Sequence, residues 1–224
     1  MLPEVVWAMP KLGTFNLHAA LLPQYRGAAP INWAIINGDT QTGITTFFLD
    51  HDIDTGNIIQ RVPVPILDTD NAEDVHDKLM VLGSDLVIET VDNIIADNIH
   101  PIPQSAIETN EPLRPAPKIF KETCRIDWNK SVKSTYDFIR GLSPYPAAWT
   151  EITVNNKTSV LKIYATSKEF ATVEAPVGKI LTDGKSYLKV AQADGYQNIL
   201  TLQMAGKKRM QVVDFLRGFH AEGN

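Results

Sequence analysis

The stretch Thr14-FNLHAALLPQYRGAAPINWAIINGDTQTGITTFFLDHDIDT-Gly56 decides how the rest of the chain is read. Its opening, Phe15-Asn16-Leu17-His18, alternates in polarity as a half-buried strand does. Successive side chains of a strand point to opposite faces, so Asn16 and His18 share one face and Phe15 and Leu17 the other. An amide beside an imidazole at a strand end can hold a carbonyl oxygen and move a proton. Taken alone, an N-x-H pair is more often a hydrogen-bonded structural pair.

The next segment, residues 21–30, is a loop stiffened by Pro23 and Pro30 and opened by Gly27. A short helix starts at Pro30 and ends near Asn37-Gly38. After Thr42-Gly43 come an apolar strand from Ile44 to Leu49, the turn Asp54-Thr55-Gly56, and a second strand from Ile58 to Val62. Read in order, these residues spell N-x-H-x-x-L-L-P-x-x-R-G-x-x-P, then T-G-x-T, then D-x-G. This series resembles the 10-formyltetrahydrofolate-dependent formyltransferase family.

Working outward, 224 residues can hold two modest domains. With 44% apolar and 21% charged residues the composition is that of an ordinary globular protein and excludes a disordered chain. No apolar run approaches the ~20 residues of a membrane span, and no basic start followed by an apolar core marks a leader. A single cysteine, Cys124, rules out an intrachain disulfide and suits a reducing cytoplasm. Nothing around it marks a nucleophile. The net charge of −5 hides an asymmetry. Residues 1–115 hold 5 Lys and Arg against 16 Asp and Glu, whereas residues 116–224 hold 16 against 10. The second half therefore suits a polyanionic partner that the total charge argues against.

Before Phe15 the chain offers only a short helical segment, Val5 to Met9, with no glycine-rich phosphate loop. After Val62, Pro63-Val64-Pro65-Ile66 belongs at a sheet edge or beyond it, because proline cannot donate to a ladder. A long helix comes next and runs to about Asn98. Asp70 with Glu73 has the form of a capping box, and Val75, Leu79, Leu82, Leu86 and Ile94 mark its apolar face. Pro101, Pro103, Pro112, Pro115 and Pro117 indicate an extended interdomain linker. Ser131 caps a helix to Gly141, with Val132, Tyr136 and Ile139 facing inward. From Ala147 the rhythm is β. Trp149–Val154 meets Thr158–Tyr164 across Asn155-Asn156, and further strands lie at 177–181, 187–190 and 199–202. Five short strands with little helix suggest a small barrel of the oligonucleotide-binding type. Gly206-Lys207-Lys208-Arg209-Met210 then leads into a last helix carrying Val212, Val213, Phe215 and Leu216.

The run Asp50-His51-Asp52-Ile53-Asp54-Thr55-Gly56 alternates oxygen donors as calcium loops do. Such loops want glycine sixth and glutamate twelfth, and here the glycine is seventh and the twelfth residue is Arg61. No metal site is expected. From the turn between two strands, the Asp54 carboxylate could reach the Asn16/His18 face in a parallel or mixed sheet, or it could simply cap its own turn.

The resemblance goes further. It implies that Asn16, His18 and Asp54 surround the formyl carbon of 10-formyltetrahydrofolate as an amine attacks it, with Asn16 and protonated His18 donating to the oxyanion. Asp54 would orient or charge the histidine and help remove the amine proton, directly or through water. Ala20, Leu21, Leu22 and Pro23 stand where the family contacts the folate, with alanine in the place of a common serine. Arg26 would either meet an acidic substrate group or pin the loop.

Arg125 to Trp128 (R-I-D-W), the helix and small barrel after it, and Gly206 to Gly218 (G-K-K-R-M…D-F-L-R-G) are similar to the tail of the family's methionyl-tRNA-formylating members. That similarity implies initiator methionyl-tRNA as the partner, with Lys207, Lys208 and Arg209 against its phosphates; without it they read as a solvated charge run.

The expected architecture is α/β: residues 1–100 as the C-terminal portion of a doubly wound formyltransferase domain, 101–117 as linker, and 118–224 as a basic barrel domain. The family's upstream strand–helix units are not in the sequence, so a fragment of a cytoplasmic enzyme, monomeric when complete, is expected. The competing readings are another folate-dependent formyltransferase, a formyl hydrolase, and a nonenzymatic tRNA-binding fragment.

Overall fold

The alternation at the start of the chain becomes strand β1 (Phe15–His18), preceded by a single helical turn, α1 (Glu4–Trp7), that lies a residue or two earlier than expected. These positions come from a computed structural model describing residues 2–109, 111–154 and 157–218. The chain divides into two compact units, one of Met1–Ala34 with Asp39–Ile119, the other of Ile35–Gly38 with Phe120–Asn224.

β1 is followed by helix α2 (Pro30–Ile36), whose last two residues are counted with the second unit, and by strands β2 (Gln41–Phe48) and β3 (Ile58–Pro65) of the first. The sheet order is β1-β2-β3 and both ladders are antiparallel, which corrects the parallel or mixed arrangement expected. Residues 49–57 form a connection too short for a crossover and can return only as a hairpin. Pro63 and Pro65 fall within β3, at the sheet edge where a missing N–H costs no ladder bond.

Helix α3 (Ala72–Ile95) is capped by Asn71, one residue later than expected. Asn71 is extended (φ −99°, ψ −176°), as an N-cap must be, and its side chain accepts from the amides of Glu73 and Asp74. The Asp74 carboxylate accepts in return from the Asn71 amide at 2.9 Å. Asp70 is instead buried, where it accepts from the Leu67 amide and pairs with Lys78 at 2.6 Å. The buried stripe is Val75, Leu79, Gly83, Leu86 and Thr90. Leu82, expected inside, is exposed, because the steps 79, 83, 86 keep one face and 82 leaves it. At Gly83 a methyl group would come within 2.7 Å of Leu17, so the helix lies against the face of β1 opposite His18. Thr90 adds a hydrogen bond to Thr46 of β2 on that same side.

The proline-rich segment is extended but does not hang free. Ile102 exchanges two backbone hydrogen bonds with Ile58, and Ala116 bridges to Gly27. Between them a turn of 3-10 helix (Gln104–Ala106) carries one buried side chain, Gln104.

The second unit begins near a 3-10 turn (Glu122–Cys124) and helix α4 (Val132–Gly141), where Ser131 accepts from the Ser134 amide as its cap. Val132 and Ile139 point inward as expected; Tyr136 is half-buried, its ring under Lys168. Strands β4 (Ala148–Val154), β5 (Lys157–Phe170), β6 (Ile180–Thr182), β7 (Leu188–Gln192) and β8 (Gly195–Met204) complete most of the unit. A short β9 (Met210–Gln211) pairs with β8 and runs into α5 (Val212–Leu216). The antiparallel order is β4-β5-β8-β7-β6, a curled sheet around Ile152, Leu161, Ile163, Leu188, Ile199 and Leu202. The Asn155-Asn156 turn lies outside the described residues. Cys124 is buried, and its thiol is pushed up by that burial, in keeping with a packed side chain rather than a nucleophile. Among the described residues no helix is long and apolar enough to cross a membrane.

Candidate active site

His18 occupies the end of β1, buried, on the face away from α3. Its Nε2 lies 2.8 Å from the Tyr25 carbonyl. A carbonyl can only accept, so this nitrogen carries a proton and Nδ1 is the one left for chemistry. Nδ1 faces Asp54, whose Oδ2 is 3.8 Å away. The edge of the ring is set against Phe47, with centroids 6.4 Å apart at 86°.

Asp54 reaches this position although the sheet is antiparallel, because residues 49–57 fold back over the sheet. Two features force the return. Asp54 itself has φ +57°, a left-handed residue in which aspartate is tolerated better than most. Gly56 sits so close to β2 that a methyl group would lie 1.7 Å from the Phe48 carbonyl oxygen, so no side chain fits there. The carboxylate is then held by the Gly27 amide, which donates to Oδ2 at 2.9 Å. Gly27 has φ +126°, and a methyl group on it would meet the Ala116 carbonyl at 2.4 Å.

Asn16 lies on the same strand face as His18, opposite Phe47, and is solvent-exposed, with no side-chain hydrogen bond among the described residues. The expected trio therefore has two members in place against each other and a third free to donate on the same side. The arrangement can present an amide N–H and an imidazole to one developing oxyanion with a carboxylate beside the same ring nitrogen.

The 20–23 loop is tied down through two of its backbone groups. Thr45 Oγ1, fully buried, donates to the Ala20 carbonyl at 2.6 Å and accepts from the Leu22 amide at 3.1 Å. Ala20 and Leu22 are fully buried and Pro23, after a cis peptide bond, is buried too. Leu21 alone is half-exposed, its side chain close to Gly43. Arg26 points both Nε and Nη2 at Gln104 Oε1, at 3.0 and 2.6 Å. Lys207, Lys208 and Arg209 belong to the other unit and are exposed; Arg209 lies over the Tyr164 ring at 4.3 Å.

Sequence reasoning missed three contributors. Thr45 closes the T-G-x-T series but was given no role of its own. The Tyr25 carbonyl has no side-chain signature; its residue is fixed by its hydroxyl donating to Asp39 at 2.7 Å and by Arg114, which pairs with Asp39 and lies over the ring. Gln104 sits in the segment read as a linker.

Residues 1–91 match the formyl transferase family and residues 118–220 its C-terminal domain. The methionyl-tRNA formyltransferase of Phocaeicola vulgatus is 70% identical over 226 residues, spanning 100% of this chain and 70% of that protein. That of Bacteroides thetaiotaomicron is 64% identical over 220 residues, spanning 98% of this chain and 68% of that protein. Among solved structures, HypX from Aquifex aeolicus in complex with tetrahydrofolic acid superposes with a TM-score of 0.66 at 19% identity, over 96% of this chain and 36% of that one, a likeness of fold. With both domains matched and this degree of identity, the chain belongs to the formyl transferase family of enzymes, alongside the bacterial methionyl-tRNA formyltransferases.

Proposed function

We propose that the chain carries the catalytic centre and the tRNA-binding unit for transfer of a formyl group from 10-formyltetrahydrofolate to the amino group of initiator methionyl-tRNA. The observation that supports this most is the His18 Nδ1–Asp54 Oδ2 approach beside an exposed Asn16 on the same strand face. The amine of the aminoacyl end attacks the formyl carbon, and charge develops on the formyl oxygen. The Asn16 amide donates to it, and so does the Nδ1 side of His18, since Nε2 is engaged by Tyr25. Loss of one such donor costs about a hundred- to a thousandfold in other acyl-transfer enzymes. In this step His18 is protonated on both ring nitrogens, the Asp54 carboxylate faces that imidazolium, and the carboxylate takes up the amine proton directly or through water. Collapse of the tetrahedral species breaks the bond to the folate nitrogen, which leaves as an amine by taking back the proton that Asp54 took up.

In this proposal Leu21 and the shape of the Ala20–Pro23 loop bound the folate subsite, while Lys207, Lys208 and Arg209 contact tRNA phosphates. Phosphate contacts position a nucleic acid without reading its sequence, which suits an enzyme that finds its amine at the end of one tRNA. We place the reaction in the cytoplasm and the enzyme as a monomer. The test supplies 10-formyltetrahydrofolate with methionyl-tRNA, with free methionine, or with water alone, and monitors formyl-methionine and formate. Formylation of methionyl-tRNA only is the expected result. Formate release without an acceptor requires the hydrolase reading instead.

A further inference from the structure

We propose that Gln104 is a positioning residue for formyl transfer, locking the Asp54 turn and the Gly27 loop into one rigid frame behind His18; this rests on the catalytic roles proposed above. The side chain is 5% exposed. Its amide nitrogen donates to two carbonyls on either side of Thr55, those of Asp54 and Gly56, each at 2.9 Å. Its amide oxygen accepts both donors of Arg26. Arg26 is followed by Gly27, whose amide holds the Asp54 carboxylate, and preceded by Tyr25, whose carbonyl holds His18. The result is a closed circuit: Gln104 to the Asp54 backbone, Asp54 carboxylate to Gly27, Arg26 back to Gln104. A single buried amide thus spans the loop that orients His18 and the turn that carries Asp54.

The chemistry demands glutamine in particular. Two carbonyls on one side require an N–H₂ donor pair, and a guanidinium on the other requires an acceptor. Glutamate would satisfy Arg26 while turning an oxygen on two carbonyls; leucine would fill the space and satisfy neither. Without the brace, the turn from Asp54 to Gly56 loses two of the contacts that fix it, one of them on Asp54 itself, and a displacement of about 1 Å at a reacting group can cost about a hundredfold.

The experiment compares the chain with its Gln104→Leu and Gln104→Glu variants by two readouts. The first is amide-hydrogen exchange by NMR, which needs no turnover. In both variants the Gly27 amide should lose at least tenfold in protection, while the amides of Thr45 and Thr46 in β2 keep theirs. The second is kinetics with 10-formyltetrahydrofolate and methionyl-tRNA. Here kcat should fall at least tenfold with KM for either substrate within threefold, and Gln104→Glu should not rescue it, since only the acceptor is restored. Unchanged Gly27 protection in both variants overturns the proposal whatever the activity. Uniform loss of protection, β2 included, also overturns it, by making Gln104 a general stability residue. An unmodified chain without activity but with the selective loss at Gly27 would refute the catalytic reading and leave the brace standing.

Discussion

Replacing Thr45 with valine removes one hydroxyl and almost no volume, so its consequence can be worked from hydrogen bonding alone. Thr45 Oγ1 serves two backbone groups of the 20–23 loop, the Ala20 carbonyl and the Leu22 amide, both on fully buried residues. A buried polar group left without a partner costs about 1–3 kcal/mol. Two such groups give about 2–6 kcal/mol, with the lower half of the range expected because the loop can shift toward water. Relative to the roughly 5–15 kcal/mol typical of a domain, that is a large fraction. Urea unfolding of the Thr45→Val and Thr45→Ser variants checks it. Valine should lower the midpoint of the first unit by the equivalent of at least about 2 kcal/mol with an unchanged slope, and serine should recover most of the loss. A valine variant within about 0.5 kcal/mol of the parent would refute the reasoning, by showing that both groups find other partners at little cost.

The second unit supplies two more expected outcomes. Hydrogen bonds from Lys189 and Asn198 hold the Glu169 carboxyl below its ordinary range, so its contribution to stability is present above that range and lost as acid protonates it. Glu169→Gln should therefore flatten the acid side of the stability profile, and an unaltered profile would contradict that. Neutralising Lys207, Lys208 and Arg209 should weaken tRNA binding and reduce the slope of log affinity against log salt by up to about 2, at roughly 0.7 per lost contact; the full slope would mark the run as a solvated surface.

How much was legible beforehand differs from residue to residue. The Asn16/His18 face came from strand alternation, and the edge place of β3 from Pro63 and Pro65, because both rest on local backbone rules. The meeting of Asp54 with His18 did not. It depends on residues 49–57 folding back over an antiparallel sheet, and on Gly27, which is 27 residues away from Asp54 in sequence. The α3 cap was misplaced by one residue because Asp70 and Asn71 are both competent cap residues, and only the extended backbone at Asn71 decides between them. Gln104 was invisible for a related reason. Its partners are 78, 50 and 48 residues away, and nothing in its own prolyl neighbourhood announces them.

The central claim is that His18 performs chemistry and does not merely pack at a strand end. The rate of formyl transfer from 10-formyltetrahydrofolate to methionyl-tRNA by the His18→Ala variant, measured beside its tRNA affinity, tests it most directly. A loss of about a hundredfold or more with tRNA Kd within twofold is the predicted result. A variant that retains a fifth or more of the parent rate would contradict the account and remove the histidine from the mechanism.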